Sequence, residues 1–243
     1  MKRIGHKGAD AIVPGNTLGS FEKAVEVGVD VIELDVLWTQ DGHPRIAAAE
    51  RTPLVIAHDW HDAERRQPLT LAEALDAFME PPLDRVEIDL DIKLPGREEE
   101  IVAAVRERGL LDRAMISTME LFTLAKIGKL EPGLRRGWTY PKVTKDWASK
   151  RWAKAPMLGA LAWMRQRLPG LAARELPEMG VEAMWVYHPL VSRQLAKITD
   201  LAGVELIAWT VDDPGRMSKL VAAGVDGICS NDPRLFDKLT EHR

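Results

Sequence analysis

The sequence predicts an α/β fold, a single-domain (β/α)8 TIM barrel over residues 1–243, on three observations. Eight short apolar runs alternate with helical stretches along the 243 residues. Repeated strand–helix units of this kind give parallel strands with helices outside, and eight of them fit a barrel of this length. No GxGxxG loop and no long linker occurs. One domain is therefore the simpler interpretation, and a doubly wound open sheet is the alternative.

The predicted strands and helices follow from periodicity and from their start and stop residues. Alternating apolar residues indicate strands, and Gly28, Gly109, Gly203 and Gly224 fall where helices end. The predicted strands are 3–6, 31–36, 86–92, 114–118, 135–139, 183–187, 205–211 and 227–230. The predicted helices are 17–27, 70–79, 97–108, 119–129, 191–202 and 214–223, with helix starts at Asn16–Thr17 and Asp213–Pro214.

One apolar run, 53–58, lies too close to the strand at 31–36 for a helix to separate them. The intervening stretch contains Asp41 followed by Gly42, a turn signal. We therefore expect a hairpin-like excursion near residues 37–59 that folds over one end of the barrel and ends in His58.

Composition limits the class of protein. Hydrophobic residues make up 46% of the chain, enough for a sizeable core. The net charge of -4 argues against nucleic acid as the main partner. Cys229 is the only cysteine, and no apolar run has the length of a signal peptide or membrane span. The expectation is a soluble, cytoplasmic protein.

The stretch at 86–93, VEIDLDIK, alternates apolar residues with three acids and Lys93. Alternation places the acids and the lysine on one face of a strand. Since chemistry in such barrels sits at the carboxyl ends of the strands, we expect this face to point into the mouth. The other polar residues predicted at this end are His6, Glu33, Asp35, His58 and Trp209, beside Asp91 and Lys93.

Inward carboxylates without a partner are costly, and a bound divalent cation would resolve the cost. Glu33, Asp35 and Asp91 offer three hard oxygen ligands, which suit Mg²⁺ or Ca²⁺. His6 and His58 beside such an ion suggest general acid–base chemistry on an anionic substrate. A lysine at the rim suggests that the anion is a phosphate.

Each of these signals also has an ordinary structural interpretation. The Glu-x-Asp pair alone could be a salt-bridged strand, and His58 followed by Asp59 could be a turn. Asp89 is placed to support the ligands by hydrogen bonds or to pair with a lysine, and Glu87 lies deeper. We expect His188 to line the pocket or to cap a strand. The remaining histidines are expected at the surface: His43, His61 and His242.

Seven short motifs follow one another along the chain: HKGADAIVPGNT, IELDV, TQDG, VIAHD, DIK, AWTVD and GVDGICSNDP. In these motifs and in their order, the chain resembles the glycerophosphodiester phosphodiesterase family. The motifs extend from residue 5 to residue 233, nearly the whole chain. Each motif is weak alone, but seven in the right order are specific.

The resemblance implies roles for particular residues. His6 and His58 match the family's acid–base pair, and Glu33 and Asp35 match its metal ligands. Asp91 stands where the family usually has a glutamate ligand. The remaining matches concern the substrate: Lys7 and Lys93 at the phosphate, and Trp209 against the glycerol.

The resemblance also implies the reaction, which is hydrolysis of a small glycerophosphodiester to sn-glycerol 3-phosphate and an alcohol. The neighbouring glycerol hydroxyl would attack first, and water would open the resulting cyclic phosphate. One divalent cation, Mg²⁺ or Ca²⁺, would serve as cofactor. A lysophospholipase D-type enzyme and a non-catalytic phosphate-binding barrel are the alternatives.

The chain departs from the family pattern at two positions. Lys7 replaces the usual arginine, which keeps the charge but loses a planar two-pronged contact. Gly15 replaces an active-site glutamate, and we expect water to fill the gap.

Residues 142–174 are rich in lysine, arginine and tryptophan, with Asp146 the one acid. This long connection is expected to run over the mouth of the barrel. It could be a lid with an outer helix or an interfacial segment that makes weak contact with anionic lipid.

Overall fold

Eight parallel strands close into a barrel in the computed structural model, which describes residues 1–38, 52–142 and 154–239. Pairing of the first strand with both the second and the last completes the closure. The predicted TIM barrel is therefore confirmed. Its strands are β1 (Lys2–His6), β2 (Val31–Leu37), β4 (Glu87–Ile92), β5 (Ala114–Thr118), β6 (Arg135–Tyr140), β7 (Ala183–Tyr187), β8 (Glu205–Trp209) and β9 (Gly227–Ser230).

The excursion after β2 is seen in part. A two-residue strand, β3 (Val55–Ile56), runs antiparallel to the end of β2, where Ile56 pairs with Val36. Residues 39–51 lie outside the described residues. The pairing at the carboxyl end of β2 places the return of the excursion, and His58 beyond it, at the mouth of the barrel.

Helices cover the outside of the barrel. The described helices are α1 (Leu18–Val27), α2 (Trp60–Arg65), α3 (Leu71–Ala77), α4 (Glu98–Glu107), α5 (Leu121–Leu130), α6 (Lys154–Met179), α7 (Arg193–Ala202) and α8 (Pro214–Val221). Thr17, Thr70, Ser192 and Asp213 cap four of them by accepting from a backbone N–H of the first turn. Both predicted helix starts are confirmed, with Thr17 as the capping residue at 16–17 and Asp213, followed by Pro214, as the cap of α8.

The predicted helix ranges did not include α2, and α6 corresponds to the outer helix expected as one of two alternatives for residues 142–174, of which 143–153 lie outside the described residues. The six residues of α2 are too few to show helical periodicity. In α6, Pro169 and Pro177 lie inside the helix, where proline normally signals an interruption. The buried face of α6, formed by Leu168, Ala172 and Leu176, packs on the barrel and holds the helix in place despite the prolines.

The core has an inner and an outer layer because successive strand residues point to opposite faces. Ile4, Met115, Trp185 and Ile207 fill the lower barrel interior, and the larger outer layer lies between strands and helices. At the bottom, Glu87 pairs with Lys2 and Arg135, so it lies far from the mouth as expected. Among the described residues, no helix is both long and apolar enough to span a bilayer.

Candidate active site

A cavity of about 470 Å³ opens at the carboxyl ends of the strands. Its walls come from most strands of the barrel, which brings together residues far apart in sequence. Asp35 and Lys7 lie behind the lining, next to residues that form it. The lining includes the predicted His6, Glu33, His58, Asp91, Lys93 and Trp209, together with Asp89, Ser117, Thr118, Met119, Glu120, Thr139, Lys142, Trp185 and Cys229.

The three predicted acids form one cluster. Glu33, Asp35 and Asp91 each offer a carboxylate oxygen, and these oxygens lie within 4.8 Å of one another. Strand register explains this, because Asp35 of β2 lies directly beside Asp91 of β4. Glu33 shares the inward face of β2 with Asp35, two residues earlier.

The Lys93 ammonium lies among these acids. Its Nζ is 2.5 Å from Asp35 Oδ1 and also contacts Asp91 Oδ2. Burial alone would lower the pKa of Lys93, but the neighbouring carboxylates outweigh it and hold that pKa well above its usual value. Lys93 is thus a permanent cation at the foot of the cavity.

The carboxylates respond differently to this one ammonium. Burial would raise the pKa of Asp35, but Lys93 and His58 outweigh burial and keep that pKa below its usual range. Burial and the negative charge of Asp35 raise the pKa of Glu33 well above its usual value. One ammonium therefore does not balance three carboxylates, and the excess negative charge disfavours the ionised form of Glu33.

This arrangement fits a divalent cation. The donor set consists of oxygens only, which suits a hard ion such as Mg²⁺ or Ca²⁺. A cation beside Glu33 would favour its ionised form and supply the positive charge that the cluster lacks. The cluster therefore has the oxygen donors and the excess of negative charge that are typical of a metal site.

His6 is held by a chain of two side chains, Asn231 and Asp212. Its Nδ1 lies 2.6 Å from Asn231 Oδ1, and Asn231 Nδ2 donates to Asp212 Oδ2 at 2.6 Å. Asp212 also accepts from the backbone N–H of Asn231 and from the Ser230 hydroxyl. An ionised carboxylate can only accept hydrogen bonds, so the NH2 group of Asn231 must point to Asp212. The amide oxygen of Asn231 then points to His6.

The Asn231 orientation determines the tautomer of His6. Because Asn231 Oδ1 only accepts, His6 Nδ1 must carry the hydrogen, and Nε2 keeps its lone pair when the ring is neutral. Burial lowers the pKa of His6 below 6.5 against the opposing charge of Asp35. Neutral His6 therefore presents a basic Nε2 on the cavity side, 3.9 Å from Glu33 Oε2.

His58 has a different environment. Its side chain is half exposed at the cavity rim, and its Nδ1 lies 3.3 Å from Asp59 Oδ2. Asp59 caps α2, and Asp62 in that helix accepts from the backbone N–H of His58. The short helix α2 thus positions the second histidine, with Arg66 bracing Asp62.

Sequence reasoning assigned no site role to Asn16. This residue is fully buried, donates from Nδ2 to Asp35 Oδ2 at 2.7 Å, and accepts from the backbone N–H of Asp35. Asn16 has a positive φ of 56°, which asparagine tolerates better than most residues. Asn16 directly follows Gly15, the position where the chain departs from the family motif, and this neighbourhood could have identified it.

The space beside Gly15 holds a carboxylate, so the expectation that water fills it is not supported. Asp10 Oδ1 accepts from the Gly15 N–H at 2.8 Å, and a Cβ on Gly15 would lie 2.5 Å from that same oxygen. Asp10 also lies 3.8 Å from the Lys7 ammonium. A carboxylate therefore lies beside position 15, although Asp10 belongs neither to the acid cluster nor to the cavity lining.

Lys7 lies in a tight turn after β1. Its φ of 52° is unusual for a residue with a side chain, and such conformations persist where surrounding contacts enforce them. The next residue, Gly8, has a φ of 87° and leaves no room for a Cβ against Ser20. This turn directs the Lys7 backbone N–H to Glu33 Oε2 at 2.9 Å.

The secondary candidates have structural partners. Asp89 is fully buried and accepts from the Ser117 hydroxyl at 2.7 Å, outside the acid cluster. His188 does not line the cavity, because its Nδ1 accepts from Arg216 Nε at 3.1 Å. His61 lies in α2, in a separate shallow depression. The predictions for His43 and His242 concern positions outside the described residues.

The wall opposite the acids is largely apolar. Trp209 packs near Tyr187, with ring centroids 5.7 Å apart, and Trp185 and Met119 extend the same lining. At the rim, the Glu120 carboxylate pairs with Lys142 at 2.6 Å. The cavity thus joins a charged floor to an apolar wall.

Comparison with known proteins connects this geometry to a family. The model of the glycerophosphoryl diester phosphodiesterase family matches residues 6–51 and 67–235. A glycerophosphodiester phosphodiesterase of Caldanaerobacter subterraneus is 28% identical over 97% of this chain and 96% of its own. The matched segments leave out 52–66, so the match gives no information on His58.

Solved structures agree on the fold. A putative glycerophosphoryl diester phosphodiesterase from Silicibacter pomeroyi has a TM-score of 0.73 at 20% identity, over 98% of this chain and 92% of that one. An Oleispira antarctica phosphodiesterase, solved with the product sn-glycerol-3-phosphate, has a TM-score of 0.67 at 20% identity, with coverages of 99% and 97%. The chain belongs to the glycerophosphoryl diester phosphodiesterase family and is a phosphoric diester hydrolase by that membership.

Proposed function

We propose that this protein hydrolyses glycerophosphodiesters to sn-glycerol 3-phosphate and a free alcohol, in a reaction that depends on one divalent cation. The observation that carries the proposal is the cavity in which a three-carboxylate cluster, Lys93 and a tautomer-fixed His6 converge. The sn-glycerol-3-phosphate bound by the Oleispira antarctica phosphodiesterase supports the same product. Cytoplasmic location and a single domain over 1–243 remain predictions.

Glu33, Asp35 and Asp91 would hold the cation, either Mg²⁺ or Ca²⁺. When bound, the ion supplies positive charge to the phosphate oxygens as negative charge develops on them. Lys93 adds a permanent positive charge from the cavity floor, and Lys7 adds another from the turn after β1. These charges would bind the phosphodiester and stabilise its transition state.

His6 is the better placed base. Its buried, neutral ring keeps a lone pair on Nε2, which would take the proton of the attacking glycerol hydroxyl. That oxygen forms a bond to phosphorus as the bond to the leaving alcohol breaks, giving a cyclic phosphate. His58, half exposed at the rim, would give a proton to the departing alcohol oxygen. Water then opens the ring with the two histidines in exchanged roles.

Trp209 would pack against the carbon skeleton of the glycerol. Its ring belongs to the apolar wall, and Tyr187 supports it from behind. The remaining wall, with Trp185 and Met119, leaves room for the alcohol portion. This half of the cavity would select a substrate with a carbon skeleton over inorganic phosphate.

Two other functions make different predictions. A lysophospholipase D-type activity is favoured by the apolar wall and by exposed aromatic side chains at the mouth, Phe122 and Trp163. A non-catalytic phosphate-binding barrel is the other alternative, because Gly15 replaces an acidic residue of the family's active site.

The test is an assay of the purified protein on glycerophosphocholine and on lysophosphatidylcholine, each with and without EDTA. We expect release of sn-glycerol 3-phosphate from glycerophosphocholine, loss of activity in EDTA, and recovery with added Mg²⁺ or Ca²⁺. Preferred turnover of lysophosphatidylcholine would favour the lipid-cleaving enzyme. Phosphate binding without turnover of either substrate would contradict the proposal.

A further inference from the structure

Exposed aromatic side chains occur at one end of the barrel. Within the described ranges, the two most exposed aromatic residues are Trp163, at 59%, and Phe122, at 57%. Helices of such a barrel begin at the mouth, and Leu121 and Phe122 are the first residues of α5. The Leu121 and Phe122 side chains therefore face solvent close to the opening of the cavity.

The first half of α6 lies at the same end. Arg165 Nη1 donates to the backbone oxygen of Pro189 at 2.8 Å, and Pro189 follows the carboxyl end of β7. Arg165 is thus at the level of the mouth, and the eleven helical residues 154–164 precede it. That segment includes the exposed Leu158 and Trp163.

The charged side chains in the first half of α6 are all basic. No acidic residue occurs between Asp146 and Glu175 in the sequence. The Arg167 guanidinium lies over the Trp163 ring, 5.4 Å from its centroid. The nearby acid Glu120 is neutralised by Lys142. Aromatic and aliphatic side chains beside arginines are suited to the boundary between lipid headgroups and acyl chains.

We propose that this rim surface, formed by Leu121, Phe122, Leu158, Trp163, Arg165 and Arg167, binds the surface of an anionic lipid bilayer. The apolar side chains would enter the headgroup region while the arginines contact lipid phosphates. A second copy of the chain fits less well, because a two-fold contact would bring these arginines near their own equivalents. The cavity mouth would then open toward the bilayer.

The proposal is independent of the reaction, so its test uses binding. The full-length protein is sedimented with vesicles of phosphatidylcholine alone, or of phosphatidylcholine and phosphatidylglycerol in equal amounts. We expect binding to the anionic vesicles at low salt, little binding to the neutral ones, and release at high salt. A wild type that does not bind the anionic vesicles at low salt would overturn the proposal.

Paired variants locate the surface. Arg167→Gln should weaken vesicle binding about fivefold, the effect expected for one arginine near an anionic surface. Arg174→Gln is the matched control, because it removes the same charge two helical turns further from the mouth. Equal losses for the two variants would mean that overall charge, not the rim surface, causes binding.

A second pair tests the apolar part. Trp163→Ala should weaken binding more than Leu201→Ala, which removes an exposed leucine near the carboxyl end of α7, at the end of the barrel away from the mouth. Hydrolysis of soluble glycerophosphocholine should not change in any of the four variants. A concentration-dependent dimer that Trp163→Ala disrupts, without vesicle binding by the wild type, would assign the surface to a second copy and overturn the proposal.

Discussion

His6 Nδ1 donates a hydrogen bond to Asn231 Oδ1 at 2.6 Å, and Asp212 holds the Asn231 amide in the orientation that requires this. The two residues come from opposite ends of the chain, brought together because β1 pairs with β9 in the closed barrel. The contact leaves His6 Nε2 as the basic atom on the cavity side. Barrel closure thus determines which nitrogen can accept a proton.

Asp212→Ala is expected to lower kcat about tenfold or more, a size typical of partners that orient a functional side chain. The Asn231 amide could then rotate and offer its NH2 group to His6, which would favour the other tautomer. Asp212→Asn should lose less, because its oxygen can still accept from Asn231. The measurement is kcat on glycerophosphocholine together with the pH profile.

The control for this pair is Asp213→Ala. Asp213 is the neighbouring acid but caps α8, accepting from the Arg216 N–H. Its loss should cost about 1 kcal/mol of unfolding free energy and leave the activity of the folded protein unchanged. If Asp213→Ala lowers kcat as much as Asp212→Ala, the specific link to His6 is wrong.

The two histidines should each be needed. General acid–base groups contribute roughly 10²- to 10⁴-fold to rate, and we expect His6→Ala and His58→Ala to lose activity on that scale. His58 is the sharper test, because the family match leaves out its segment. Circular dichroism and melting temperature would verify that both variants are folded, and near-wild-type turnover in either one would contradict its assigned role.

The pH dependence should reflect the buried ring of His6. Its pKa is lowered from 6.5, so the basic form should persist below that pH. We expect kcat/KM to fall on the acid side with a midpoint below 6.5. The same shift means that the folded state binds fewer protons, so this contribution to stability is full above about pH 6.5 and declines as pH falls through the lowered pKa. If kcat/KM falls on the acid side with a midpoint above pH 6.5, a group other than His6 controls the pH dependence.

Gly15 should tolerate no side chain. A Cβ there would lie 2.5 Å from Asp10 Oδ1 and 2.7 Å from Lys7 Cβ, displacing the turn that holds Glu33. We expect Gly15→Ala to cost roughly 1–3 kcal/mol, the usual range for overpacking, and to lower activity. Gly170→Ala in α6, with nothing within 4 Å of the added carbon, should be neutral or slightly stabilising. Equal melting temperatures for the two variants would contradict this account of position 15.

The sequence was sufficient to predict the barrel, and the structure brings most of the predicted site residues together at the cavity. Alternation and strand ends are local properties, and they placed Glu33, Asp35, Asp91 and Lys93 together because parallel strands end at one edge. The bounds of α6 were not predicted because its prolines resemble a break, whereas burial of Leu168 against the barrel holds the helix in place.

Other site features depend on contacts between distant segments. Asp10 lies beside Gly15 because one turn folds back, and Asp212 reaches His6 through Asn231. Neither relationship has a fixed spacing in sequence. Asn16 looked like a helix start, and only the fold shows that its amide binds Asp35 while Thr17 forms the cap.

The central claim is that Glu33, Asp35 and Asp91 form the cation site of the enzyme. The most direct measurement is calorimetric titration of Mg²⁺ and Ca²⁺ into metal-free wild type, Asp91→Ala and Asp89→Asn. Asp89→Asn is the matched control, because Asp89 lies on the same strand face and contacts Ser117 instead of the cluster. We predict one bound ion for the wild type and Asp89→Asn, and strongly weakened or absent binding for Asp91→Ala. Equal affinity in wild type and Asp91→Ala would contradict the claim.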